Sequence, residues 1–176
     1  MHDSSMALMR KFVEDYDLQE ATVIDMGSFN VNGTYRDLFV KGKYIGADIV
    51  PGRNVDVIVG SDEWDWIKDV DAVISGQTLE HVTDIPGFLT EIYRVLKPGG
   101  LLCLIAPSSG PGHDYPTWVG HFPEEKMREV VKAGRFEILS CVTNDIEPWR
   151  DTCCIARKAL SETTMKKKKG NDRDED

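Results

Sequence analysis

Acidic and glycine residues recur at one kind of place in this sequence, just beyond short apolar runs. Asp25, Gly27 and Ser28 follow A-T-V-I, and Asp48 and Ile49 close K-Y-I-G-A-D-I. Asp62 and Glu63 follow N-V-D-V-I-V-G-S, and Gly76 and Gln77 follow D-A-V-I-S. A glycine at a strand end lets backbone approach a ligand closely, and Asp25 can accept backbone N–H groups to hold that turn. Asp48 lies 23 residues beyond Asp25. A carboxylate there can take two hydrogen bonds from ribose hydroxyls and would repel a 2′-phosphate. Asp62 or Glu63 can accept from an adenine amine while Trp64 or Trp66 packs on the base. The competing reading makes these tryptophans core anchors, and one of them is expected to be so. The first turn lacks G-x-G-x-x-G, so it makes a poor cradle for a pyrophosphate.

The histidines come later. His81, in S-G-Q-T-L-E-H-V, can act as a base near neutral pH; a capping or buried structural role is equally open. A loop rich in proline and glycine, Pro107 to Pro116, runs on to His121 and carries His113, Asp114 and Tyr115. Long ordered loops of this kind tend to line substrate pockets. His81, His113, Asp114 and His121 lack a tight metal-binding spacing, so no metal is expected.

Placing these groups requires alternating strands and helices. Short continuous apolar runs at Ala21–Ile24, Lys43–Ile49, Asn54–Val59, Asp71–Ser75 and Leu101–Ala106 read as five strands covered on both faces. Between them, Gly33–Val40 reads as a short helix. Asp84–Leu96 reads as an amphipathic one, ended by Pro98-Gly99-Gly100. A helix capped by Ser4 or Ser5 is expected through Tyr16, and another at Pro123–Ala133 with proline in its first turn. Phe136–Val142 and Thr152–Ala156 follow without an intervening helix, predicting a hairpin that adds an antiparallel edge. The alternation specifies an α/β fold with a parallel sheet and right-handed crossovers. Ligands then bind beyond the carboxyl ends of the strands, where the residues above fall.

Bulk properties set the limits. The 176 residues suit one domain, expected over 1–160, and the formal net charge is -9. That charge disfavours a phosphate backbone, so no nucleic-acid partner is expected. No segment approaches the roughly 18 apolar residues of a membrane span, and no leader pattern is visible, so a cytoplasmic location and no membrane partner are expected. Cys103 and Cys141 sit in apolar runs, and Cys153 and Cys154 are adjacent. Without C-x-x-C, all four are expected to be reduced thiols. Residues 161–176, with K-K-K-K-G-N-D-R-D-E-D, are expected to be a charged, disordered tail.

In this order the stretches resemble the class I S-adenosylmethionine-dependent methyltransferases. V-I-D-M-G-S-F-N-V-N-G resembles their first motif and Y-I-G-A-D-I their second. D-A-V-I-S-G-Q-T-L-E-H-V and E-I-Y-R-V-L-K-P-G-G-L-L-C-L-I-A-P-S resemble the stretches around their fourth and fifth strands. The resemblance implies a Rossmann-like three-layer sandwich with a seven-stranded, mostly parallel sheet and an antiparallel last strand. It implies S-adenosylmethionine as cofactor and S-adenosylhomocysteine as product. Gly27 and Ser28 would face the methionine part, Asp48 the ribose, Asp62 the adenine amine, and Gly76 and Gln77 the sulfonium end. The first motif departs from the usual D-x-G-x-G-x-G, with Ser28, Asn30 and Val31 replacing or shifting glycines.

The activity this implies is methyl transfer to a small-molecule acceptor such as a sugar, a nucleotide-sugar or another metabolite. Asp25, Gly27, Ser28, Asp48, Ile49, Asp62, Glu63, Gly76 and Gln77 would bind the cofactor. His81 or His113 would take the proton if the acceptor is a hydroxyl. The alternative is a non-catalytic cofactor-binding module or scaffold acting through a partner. A nicotinamide oxidoreductase is disfavoured by the missing glycine pattern, and a homodimer is open.

Overall fold

A computed structural model describes residues 3–112 and 117–160. The expected tail at 161–176 therefore lies outside the described residues, as do His113, Asp114, Tyr115 and Pro116. The chain forms α1 (Asp3–Asp15), β1 (Thr22–Met26), β2 (Lys43–Asp48), β3 (Val57–Ile58), α2 (Asp62–Asp65), β4 (Val70–Gly76), α3 (Ile85–Val95), β5 (Leu96–Pro107), α4 (Glu124–Ala133), β6 (Phe136–Thr143) and β7 (Asp151–Lys158). The strands make one seven-stranded sheet of order β3-β2-β1-β4-β5-β7-β6. β1 pairs with β2 and β4 in parallel, and β7 runs antiparallel to both β5 and β6.

Two apolar layers hold the sheet. On one face α1 lays Met9, Phe12 and Val13 on Val23, Ile74, Cys103 and Ile105. On the other, Leu89, Ile92 and Val95 of α3, Met127 and Val131 of α4, and Trp64 of α2 cover Ile24, Val73, Leu102 and Leu104. Spacings of three and four residues place these side chains on one stripe of each helix. Trp64 is the tryptophan that anchors. It is 1% exposed, whereas Trp66 is 84% exposed. All four cysteines are buried free thiols.

Several expectations change. Ser4 and Ser5 lie inside α1 rather than capping it. Both are buried, and their hydroxyls meet Asp151 and Tyr35 instead of helix N–H groups. The run Asn54–Val59 contributes only Val57–Ile58 to the sheet. Asn54 takes a left-handed φ of 70°, and Asp56 spends its carboxylate on Gly46 N–H and Arg36. Gly33–Val40 tightens to one 3-10 turn, Arg36–Phe39. Pro123 stands at the N-cap of α4 rather than within its first turn. Lys97 to Gly100 form an irregularity within β5, between the pairs Val70–Leu96 and Ala72–Leu101. The final hairpin forms as expected, with the last strand, β7, antiparallel to its neighbours. β7, with its near-continuous buried run, inserts between β5 and β6, while the half-polar β6 takes the edge.

Candidate active site

Strand order reverses between β1 and β4, and the cleft opens beyond their carboxyl ends. A cavity of about 100 Å³ lies there, lined in part by Asp25, Gly27, Ser28, Tyr35, Gly76 and Gln77. Gly27 has a φ of 84°, and a Cβ there would land on the Thr78 side chain. A Cβ on Gly76 would collide with the Tyr35 phenol. The two glycines thus let the ends of β1 and β4 close on their neighbours. A larger groove of about 500 Å³, lined by residues including Arg36, Phe39, Val40, Lys43 and Tyr44, lies by the opposite end of β2. It gathers none of the predicted site residues.

The floor of the cleft is acidic. Asp25 is 4% exposed, and burial pushes its carboxyl up to about 7, against the opposing effect of the Tyr44 hydroxyl that donates to it. Asp48 holds the rim. Its Oδ2 accepts Phe29 N–H at 3.0 Å, and its Oδ1 accepts Ile49 N–H at 2.8 Å. Ile49 beside it is 78% exposed, an apolar face next to the carboxylate. Asp62 and Glu63 are exposed on the first turn of α2. That turn is held by the Ser61 cap and by Trp64, whose Nε1 donates to Glu91 at 2.7 Å.

The glycine-poor loop after β1 is held by a polar latch that sequence reasoning missed. Asn54 Nδ2 donates to Ser28 O and to Tyr44 Oη, each at 2.9 Å. Arg36 Nε donates to Asn54 Oδ1 at 2.7 Å. Arg36 also lies over the Tyr44 ring, 4.3 Å from its centroid, and pairs with Asp56 at 2.7 Å. These partners come from separate segments and share no period, so no local sequence signal pointed to them.

The opposite wall follows β4 and β5. Gln77 adopts a φ of 58°, its N–H bonds to Ile105 O at 2.8 Å, and its side chain donates to Asp151 at 2.9 Å. His81 places Nδ1 against Thr117 O, while its Nε2 lies 3.9 Å from Glu80 Oε1. Trp118 stands edge-on between His81 and His121, with ring centroids at 6.0 and 5.1 Å. His121 Nε2 meets Gly110 O at 3.0 Å. Glu80 is 2% exposed, and burial pushes its carboxyl up to about 8. His81 and His121 are thus brought to one wall, and His113 lies outside the described residues.

Comparison with known proteins agrees with this fold. Residues 42–104 match the model of a methyltransferase-domain family. Over 105 residues the chain is 33% identical to a probable S-adenosylmethionine-dependent methyltransferase of Mycolicibacterium smegmatis. That match covers 56% of this chain but only 38% of the relative, so the chain spans well under half the relative's length. Among solved structures, a Burkholderia thailandensis 1,6-didemethyltoxoflavin-N1-methyltransferase superposes with a TM-score of 0.70 at 18% identity, over 89% of this chain and 79% of that one. An S-adenosylmethionine-dependent methyltransferase from Aquifex aeolicus superposes with a TM-score of 0.64 at 20% identity, over 89% and 93%. Residues 42–104 thus resemble a methyltransferase-domain family, and the chain has the fold of these S-adenosylmethionine-dependent methyltransferases.

Proposed function

We propose that the chain binds S-adenosylmethionine in the cleft between β1 and β4 and transfers its methyl group to a small-molecule acceptor. The observation that carries the reading is the acid-floored glycine turn at the switch point, with Asp48 on the next strand and no phosphate cradle. The residues fit the cofactor by charge and shape. Gly27 and Gly76 keep side chains out of the turn, and Asp25 sits where a cation would favour its ionised form. The cavity itself takes only the small end of such a ligand, because drug-sized ligands need about 300 Å³ or more. In this reading Asp25, Gly27 and Ser28 hold the amino-acid end, and Gly76 and Gln77 hold the sulfonium end. Asp48 takes the ribose hydroxyls, and Ile49, Asp62 and Glu63 take the adenine along the open rim.

When bound, the cofactor supplies an electrophilic methyl carbon. The chain's own work is alignment of the acceptor with it and exclusion of water. The acceptor wall of His81, Trp118 and His121 supports a small organic acceptor, such as a sugar, a nucleotide-sugar or another metabolite. The Burkholderia neighbour, whose structure holds bound 1,6-didemethyltoxoflavin and S-adenosylhomocysteine, supports the same class. His81 is the proposed base within the described residues, and His113 the proposed base outside them.

The test is transfer of labelled methyl from S-adenosylmethionine to pooled sugars, nucleotide-sugars and small metabolites. The reading expects a labelled product that disappears with Asp48→Ala. A folded, cofactor-binding protein that labels no pool, including a complete small-molecule extract, would instead be a binding module.

A further inference from the structure

Gln77 lines the cleft between β1 and β4 with its backbone in the left-handed region, at a φ of 58°. Residues other than glycine rarely take that conformation, and those that do cluster at functional sites. Glycine would meet the same backbone demand at no steric cost, so the glutamine side chain calls for a role of its own. An amide has a donor end and an acceptor end, and what it offers the cleft depends on which end faces out.

A buried carboxylate fixes that choice. Asp151 is the first residue of β7 and is fully buried. Because β7 runs antiparallel to β5, its start lies at the carboxyl end of the parallel strands, opposite Pro107. Both Asp151 oxygens accept there. Oδ1 takes Gln77 Nε2 at 2.9 Å, and Oδ2 takes the hydroxyl of Ser4 from α1. A carboxylate has no proton to offer, so Gln77 must turn Nε2 toward it and Oε1 away. Among the described residues nothing donates to Gln77 Oε1, and it is not one of the buried atoms left without a partner there. Ser5, beside Ser4, meets the Tyr35 hydroxyl at 2.6 Å, so α1 supports two residues of the cleft lining.

We propose that Asp151 is a positioning residue for cofactor binding: through Gln77 it presents Oε1 to the methyl-bearing sulfur, so that the cleft holds a cation there more tightly than a neutral group. This rests on the cofactor reading above. A carbonyl oxygen is the negative end of the amide dipole, and a positive sulfonium facing it gains an attraction that an uncharged thioether does not. The same amide turned the other way would set its N–H groups against that charge. Methyl transfer leaves the sulfur uncharged, so the contact is strong for the cofactor and weak for its product. The role therefore lies in cofactor binding and product exchange, and no bond changes at Gln77 or Asp151.

The test is calorimetry on the full chain with two ligands, S-adenosylhomocysteine and sinefungin, in which a carbon bearing an amino group replaces the methyl-bearing sulfur. The wild-type protein should bind sinefungin about tenfold tighter. Gln77→Gly suits the backbone and removes the amide, and it should bring the two affinities within about twofold of each other. Asp151→Leu should do the same. Added to Gln77→Gly it should change the ratio no further, because Asp151 acts on it only through Gln77. A merely structural role would weaken both ligands together and leave their ratio in place. Should Asp151→Leu not fold, Asp151→Asn, which can receive either end of the Gln77 amide, should cut the preference by at least about twofold. A wild-type protein without the preference, a folded Gln77 or Asp151 variant that keeps it, or a further fall in the double variant overturns the inference and leaves the cofactor reading intact. A wild-type protein that binds neither ligand overturns both.

Discussion

The two walls of the cleft are built by different means. The wall after β1 and β2 is tied by side-chain hydrogen bonds. Asn54, Arg36, Tyr44, Asp25 and Asp48 all have partners, and those partners fix the loop from Gly27 to Gly33. The wall after β4 and β5 is made of packed rings and backbone contacts, and among the described residues it leaves one buried carboxyl oxygen without a hydrogen-bond partner. The difference teaches that one wall is set in advance for a ligand of fixed shape. In the reading proposed above, the other is arranged around chemistry that a second molecule completes.

Breaking the first wall at its tightest point should have the largest effect. Gly27→Ala adds a Cβ at a positive φ and drives it into Thr78. Strain and overpacking together should cost about 4 kcal/mol in urea unfolding, with loss of S-adenosylhomocysteine binding. A next, opposite effect concerns Asp25. Its folded-state carboxyl titrates near 7, above the ordinary 3.8, because burial disfavours the charge. The folded protein therefore binds more protons than the unfolded chain between those values, and stability falls as pH rises through that window. Asp25→Asn removes that slope. At pH 8 it should be more stable than wild type by on the order of 3 kcal/mol, and at pH 3 no different. A residual slope toward pH 8 should remain from Glu80, whose carboxyl is likewise raised. The same substitution should weaken binding of the cationic cofactor, so stability and function move in opposite directions.

Asn54→Ala cuts the latch to Ser28, Tyr44 and Arg36 at once. It should cost about 2 kcal/mol and lower S-adenosylhomocysteine affinity by about tenfold at temperatures where the protein stays folded. Trp118→Ala, in the second wall, should cost only about 1 kcal/mol and leave that affinity within about twofold, while impairing methyl transfer. If Trp118→Ala and Asn54→Ala lower cofactor affinity equally, the two walls are not distinct.

The frame of the fold was legible in the sequence because its signals are local. Continuous apolar runs marked β1, β4 and β5, and helical spacing marked α3, whose cap Asp84 accepts Gly87 N–H at 3.0 Å. The same logic, applied to β7 and β6, shows why the more buried of the two runs lies inside the sheet. What escaped depended on pairing between distant segments. Asn54 and Arg36 are 18 residues apart and meet only because β2 and β3 leave a loop between them. The first two serines looked like caps, because hydroxyls near a helix start usually are; here Asp151 and Tyr35 claim them. Glu80 stood in plain view beside His81. Its burial depends on the segment after β5 folding back over it, and no local pattern records that.

The most direct test of the central claim is calorimetric titration of the protein with S-adenosylhomocysteine, beside NAD and ATP, with Asp48→Ala as the comparison. The account predicts binding of about micromolar affinity for the wild type, none for NAD or ATP, and at least about a tenfold loss with Asp48→Ala. A folded wild-type protein that does not bind S-adenosylhomocysteine, or that binds NAD or ATP as tightly, would contradict it.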